Sequence, residues 1–176
     1  MAFKFMKYIV EYKWYSTSTT PGQNVELEYT SKDKITYNVH KVILTLGGKS
    51  VEVKAKFDTG AKSSSIDFAV ATKLGVSDEL LKKCRELGSL KIPGTINKVQ
   101  QDMLEFRFSR MLKKEFPEVS FGEKAAKVVK SSSGASVRAY IRVELNYNGR
   151  NIKTDVNLRD RTGMSCEMLV GLRDML

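Results

Sequence analysis

The feature that most limits what this chain can become is a period of two. Residues 41–58 form two arms around Gly47-Gly48: KVILTL, then KSVEVKAKFD, in which Val51, Val53, Ala55 and Phe57 alternate with Glu52, Lys54, Lys56 and Asp58. Such alternation predicts half-buried strands, and the glycine pair supplies the positive φ angles that a tight hairpin demands. The pattern returns in AAKVVK, in VRAYIRVELNY beyond the loop SSSGAS, and in RNIKTDVNL beyond the turn Asn148-Gly149. MLVGLRDML reads as a buried strand that turns at Gly171 into a helical start. At the other end, FMKYIVEYKWY sets Tyr8, Val10, Tyr12 and Trp14 on one side of a strand, and VELEYTSKDKITYNV reads as two short strands around a polar turn. The chain is therefore expected to be mainly β.

One region breaks the period. IDFAVATKLG predicts a short helix from Asp67 to Gly75, and Ser77 is placed to cap DELLKKCREL, with Asp78 and Glu79 favourable in its first turn. In NKVQQDMLEFRFSRMLKKEF, Leu104, Phe108, Met111 and Leu112 recur at helical spacing until Pro117 ends the run. The predicted organisation is one domain of four parts. Residues 1–40 are a β appendage, 41–76 a hairpin and its following turn, 77–121 a helical insertion, and 122–176 the remaining strands. No internal repeat and no low-complexity tract interrupts it.

A chain of 176 residues can bury a substantial core. No window approaches the roughly 18 consecutive apolar residues of a membrane span. The start MAFKFMKYIV interleaves lysines with apolar residues and has no small-residue cleavage site, which points to a cytoplasmic protein without membrane attachment. Cys84 and Cys166 stand far apart with no ligand spacing around them, so neither a disulfide framework nor a metal site is expected. The single His40, inside a strand pattern, rules out a multi-histidine metal motif and leaves one candidate base for any serine or cysteine nucleophile. Chemistry in this chain must rest mainly on carboxylates. Lys and Arg outnumber Asp and Glu by 30 to 20, a net charge of +10 that favours acidic partners.

The carboxylate best placed for chemistry is Asp58, which emerges on the polar face at the end of its strand and opens the turn FDTGAKSSS. Taken alone, Asp-Thr-Gly suits an ordinary turn. The order of segments narrows the reading. FDTGAKSSSIDFAVATKLG resembles the active-site turn of retropepsin-like aspartic proteases, and VVKSSSGASVRAYIRVELNYNGRNIKTDVNLRDRTGMSCEMLVGL is similar to the bacterial subfamily labelled ATP-dependent zinc protease. That subfamily carries DTGA followed by a basic residue and serines, a flap ending in arginine, N-L-x-D-R-x-x-M, and a closing Gly-Arg. The matches span residues 41–76 and 124–176. At the closing motif this chain departs from the pattern, with Leu172 between Gly171 and Arg173.

The resemblance implies a closed β-barrel with a helical insertion, and an aspartic peptidase that uses no cofactor and no metal. It implies a catalytic Asp58 with Thr59 and Gly60 in its turn, and a flap with Gly134 as pivot. Ala61, Lys62, Ser133, Gly134, Arg138 and Arg161 would then meet the substrate. Some members of the subfamily trim glutamate tails, so an acidic or extended polypeptide is the implied substrate. Water activation by carboxylates needs two acids, and this chain has one DTG; a homodimer that faces Asp58 with its twin supplies the second. Two other readings use the same residues. One is a retropepsin-fold binding or assembly module without activity; the other is nucleic-acid binding through Arg107, Arg110, Lys113 and Lys114 of the insertion.

Overall fold

A computed structural model describes residues 39–131 and 134–175. Except for Val39 and His40, the strands expected over residues 1–40 lie outside the described residues, as does Ser133. Hairpin β1 (Val39–Leu46) and β2 (Lys49–Asp58) forms with Gly47 and Gly48 at φ of 56° and 82°, as the glycine pair predicts. It is followed by β3 (Ser64–Asp67), α1 (Phe68–Lys73), α2 (Asp78–Gly88) and α3 (Lys98–Glu115). The chain then returns to strands: β4 (Phe121–Ser131), β5 (Gly134–Tyr147), β6 (Arg150–Arg159) and β7 (Met168–Gly171), with α4 (Leu172–Met175) directly behind β7.

The seven strands lie in the order β1-β2-β7-β3-β6-β5-β4, and β1 also pairs with the late part of β5. That extra pairing closes a six-stranded ring, while β4 pairs with the early part of β5 and projects from the barrel. The expected β-barrel with a helical insertion is the observed architecture. Its core is what the alternating positions predict: Val42, Leu44, Val53, Ala55, Ile66, Ile141, Val143 and Val156 point inward and are almost fully buried. At about 25 cal/mol per Å² of apolar surface, each fully buried Leu or Ile contributes roughly 2 kcal/mol. His40 stays on the strand and packs its ring edge-on against Phe57 and Tyr147, each at 5.4 Å. No helix among the described residues is long and apolar enough to cross a membrane.

The helices start where their caps dictate. Asp67 accepts from Ala69 N at 3.1 Å and Ser77 accepts from Leu80 N at 3.3 Å, as the sequence predicts. At α3, Asn97 and Gln100 form a reciprocal capping box, the N-x-x-Q signature. Phe116, pushed out of helical conformation by Pro117, ends it.

The insertion also has a structural role that the sequence does not announce. β4 exposes an outer edge beyond the barrel, and an unpaired strand edge invites pairing with another chain. Helix α3 closes it with side chains. Ser109 Oγ accepts from Ala126 N at 2.9 Å and donates to Ala126 O at 3.2 Å, and Glu105 accepts from Val128 N at 2.8 Å. Glu105 is only 4% exposed and also takes Lys124 Nζ at 2.8 Å. Burial by itself raises its pKa, but the lysine and the amide outweigh burial and hold the carboxyl below its ordinary value.

Candidate active site

Asp58 is the last residue of β2, and parallel pairing with β7 sets it opposite Gly171. Its carboxylate is half-buried and accepts from Gly60 N at 2.9 Å, while Ala61 N closes the turn onto Asp58 O at 3.2 Å. A Cβ on Gly60 would stand 3.2 Å from Asp58 Oδ1, so the glycine gives the acid a close amide donor with room around it. Thr59 is half-buried, and its hydroxyl has no partner among the described residues.

A rigid floor supports the turn. Gly171 lies so close beneath it that an added Cβ would meet the backbone of Ser63 at 2.5 to 2.7 Å. Leu172 N donates to Ala61 O at 2.8 Å and Arg173 N to Lys62 O at 3.2 Å, so the start of α4 holds the turn by its backbone. Ser64, wholly buried, accepts from Gly171 N at 3.0 Å and donates to the buried carboxylate of Asp174, which also accepts from Thr154. The chain departs from the subfamily pattern at Leu172, yet the segment after Gly171 secures the loop with Asp174. Serines beside a tight turn can bond to their own local backbone. Ser64 bonds instead across the barrel, and Ser65 accepts from Arg161.

Above this floor runs an open groove of about 550 Å³, bordered by Gly60, Ala61 and Lys62 of the turn, by Val128 to Lys130 of β4, and by the ends of β5 and β6. Its charged lining residues are Lys62, Lys130, Arg138, Arg159 and Arg161, with no acid among them. Arg138 has no hydrogen-bond or acid partner among the described residues. Burial first, then the neighbouring guanidinium groups of Arg159 and Arg161, push it below its ordinary value. A guanidinium does not release its proton in proteins, so burial beside two other guanidinium groups leaves this charge unfavourably placed without an anion. Arg161 is pushed the same way, by burial and then by Arg159. Its guanidinium, however, has partners: it is 6% exposed and donates to Cys166 O at 3.0 Å and Ser65 Oγ at 2.9 Å. It is a clamp that also borders the groove.

The structure therefore gathers Gly60, Ala61, Lys62, Arg138 and Arg161 around one groove next to Asp58. Gly134 sits at the tip of the β4–β5 hairpin with φ of 122° and space for a Cβ. Among the lining residues that the motifs do not single out are Arg159, Lys130 and Tyr140. Arg159 stands inside N-L-x-D-R, where only its placement on the inward edge of β6 distinguishes it from a surface charge. Lys130 Nζ ties β4 to Ile96 O at 3.2 Å, and Tyr140 reaches Ser63 Oγ at 3.4 Å. Beneath the groove, Asn157 donates to Ser64 O, but its own Oδ1 is buried without a partner among the described residues. Neither cysteine competes as a nucleophile: both are buried, and burial pushes the Cys84 thiol up to about 12.

No family model matches the sequence, and no curated protein matches it. Among solved structures, the chain is similar to EIAV protease in complex with an inhibitor, at 17% identity and a TM-score of 0.41 over 78% of this chain and 83% of that one. It is also similar to a retroviral protease-like domain from Leishmania major, at 16% identity and a TM-score of 0.35 over 78% and 75% of the two chains. A Legionella pneumophila protein of unknown function (DUF785) aligns at 16% identity and a TM-score of 0.35 over 77% and 81%.

Proposed function

We propose that this chain is an aspartic peptidase, active as a twofold homodimer, that hydrolyses peptide bonds in acidic polypeptides. The observation that carries the reading is the position of Asp58. It ends a barrel strand on a backbone-clamped turn whose next residues, Gly60 to Lys62, border a groove whose charged residues are all cationic. In the dimer, Asp58 of each copy faces the other across the twofold axis. Two acids held together share one proton, because close like charges disfavour the doubly ionised pair.

The ionised carboxylate takes a proton from water as the water oxygen bonds to the scissile carbonyl carbon. The protonated partner gives its proton to the carbonyl oxygen. Collapse of the tetrahedral intermediate breaks the C–N bond as the carboxyl that took the water proton gives it to the amine nitrogen, and the other carboxylate takes a proton from a hydroxyl of the intermediate, which restores the shared proton. The unpartnered Thr59 hydroxyl is suited to bond the matching turn of the second copy. The β4–β5 hairpin is the flap that excludes water from the groove. Arg138 and Arg159 receive substrate carboxylates, since a guanidinium binds them with two parallel bonds, and Arg138 has no acid partner among the described residues to displace.

The test is incubation of wild type and Asp58→Asn with glutamate-ending peptides and with an unbiased peptide library, alongside sedimentation of both proteins. Cleavage lost in the variant while the dimer persists supports the proposal. A monomer that cleaves would overturn the two-copy mechanism, and a dimer inert on every peptide would replace the proposal with a retropepsin-fold binding module.

A further inference from the structure

Helix α3 carries an exposed face that the peptidase reading leaves unused. Its inner face is occupied by Leu104, Glu105, Phe108 and Leu112 against β4 and the core. On the opposite face Val99, Met103 and Phe106 are 68%, 66% and 69% exposed. They follow one another by one helical turn. Met103 and Phe106, with Pro93 and Ile96, wall an open groove of about 690 Å³. Contiguous exposed apolar surface of this kind marks a binding site more often than it decorates a monomer.

The same face becomes basic toward its C-terminal end, at Arg107, Arg110, Lys113 and Lys114. The acids of α3 are already engaged: Asp102 with Lys98 at 2.9 Å, Glu105 with Lys124, and Glu115 with Lys83 at 3.7 Å. The four cations have no acid partner among the described residues. We infer that this face of α3 is a docking surface for an acidic polypeptide segment, which inserts an apolar side chain between Pro93, Ile96, Met103 and Phe106 and lays its carboxylates over Arg107, Arg110 and Lys114. A concave apolar groove accepts a protruding side chain, which a lipid surface does not offer, and phosphate-driven binding needs no apolar wall. Gln100 borders this groove and the adjacent Gln101 borders the groove beside Asp58, so a segment held on α3 continues toward that turn. The docking claim itself does not depend on catalysis.

The experiment uses the full chain carrying Asp58→Asn, which prevents turnover, and measures fluorescence anisotropy of a synthetic peptide with one leucine followed by a run of glutamates. Phe106→Ser in that background is expected to weaken binding about 10-fold or more. Arg110→Glu with Lys114→Glu is expected to do the same and to remove most of the salt dependence. Melting of each variant checks folding; Phe106 is exposed, so its replacement leaves the melting temperature in place. Peptide affinity indifferent to Phe106→Ser overturns the inference. So does binding of phosphatidylglycerol vesicles or single-stranded RNA, but not peptide, through these residues, or loss of a dimer on Phe106→Ser. Binding at α3 without any hydrolysis by wild type keeps the inference and removes the peptidase reading alone.

Discussion

The floor under Asp58 and the wall above it treat polar groups in opposite ways. In the floor, Ser64, Thr154, Asp174 and Gly171 N satisfy one another inside the barrel, and α4 holds the turn above by backbone bonds. In the wall, Arg138 has no acid partner among the described residues, and its charge is disfavoured first by burial and then by Arg159. A buried polar group that serves the fold is satisfied from within, because leaving it unpaired costs about 1–3 kcal/mol. A group that serves a ligand is left open, and the fold tolerates the cost. Floor substitutions should therefore cost stability, and wall substitutions should cost binding or turnover.

The largest effect should come from the acid itself. Asp58→Asn is expected to lower peptide hydrolysis by about 1,000-fold or more with an unchanged melting temperature. A cleaving variant would move catalysis elsewhere. Next is Gly171→Ala, whose Cβ would enter the backbone of Ser63. Overpacking against backbone cannot relax by a rotamer change, so a loss of about 3 kcal/mol in urea unfolding is expected, and activity falls with it. Glu105→Ala should cost about 2 kcal/mol by leaving Val128 N unpaired and opening the edge of β4; chemical denaturation and aggregation at high concentration report both.

Arg138→Ala should weaken acidic peptides about 10-fold in kcat/KM with little effect on neutral ones, and should leave stability level or slightly raised. A stability loss would place Arg138 with the floor. The smallest effect should come from the exposed pair Lys41–Glu52 at 3.5 Å, where Lys41→Ala is expected to change stability by less than about 0.5 kcal/mol.

pH sharpens the same contrast. Glu105 and Asp155 are both held below their ordinary values: in each, burial alone raises the pKa. Lys124 and Val128 N overcome this for Glu105, as Arg142 and Glu123 N do for Asp155. A depressed folded-state pKa contributes stability that is fully present above the unfolded value. It is lost as pH falls through the folded value, so the melting temperature should drop below the ordinary carboxylate range. Glu105→Gln should flatten that profile.

Much of this was legible in the chain. Alternation fixes β1, β2, β5 and β6, because a half-buried strand must present opposite faces to core and solvent. Glycine pairs and Asn-Gly mark the turns, and Asp67 and Ser77 mark helix starts, because caps and positive φ are local demands. Asp58 was visible at a strand end, and the order of motifs around it suggested its use.

Other features depend on contacts between residues far apart in sequence. Ring closure needs β1 to meet the late part of β5, which no local pattern encodes. The role of Asp174 depends on Ser64 and Thr154, 110 and 20 positions away. Arg161 and Arg159 look alike in NLRDR, yet one is bonded to Cys166 O and Ser65 while the other faces the groove. Sequence by itself determined the elements and the candidate acid, since period, caps and turn residues act over a few positions. Which charges are satisfied and which remain open was decided only by tertiary structure, because that depends on what the fold brings within hydrogen-bond distance.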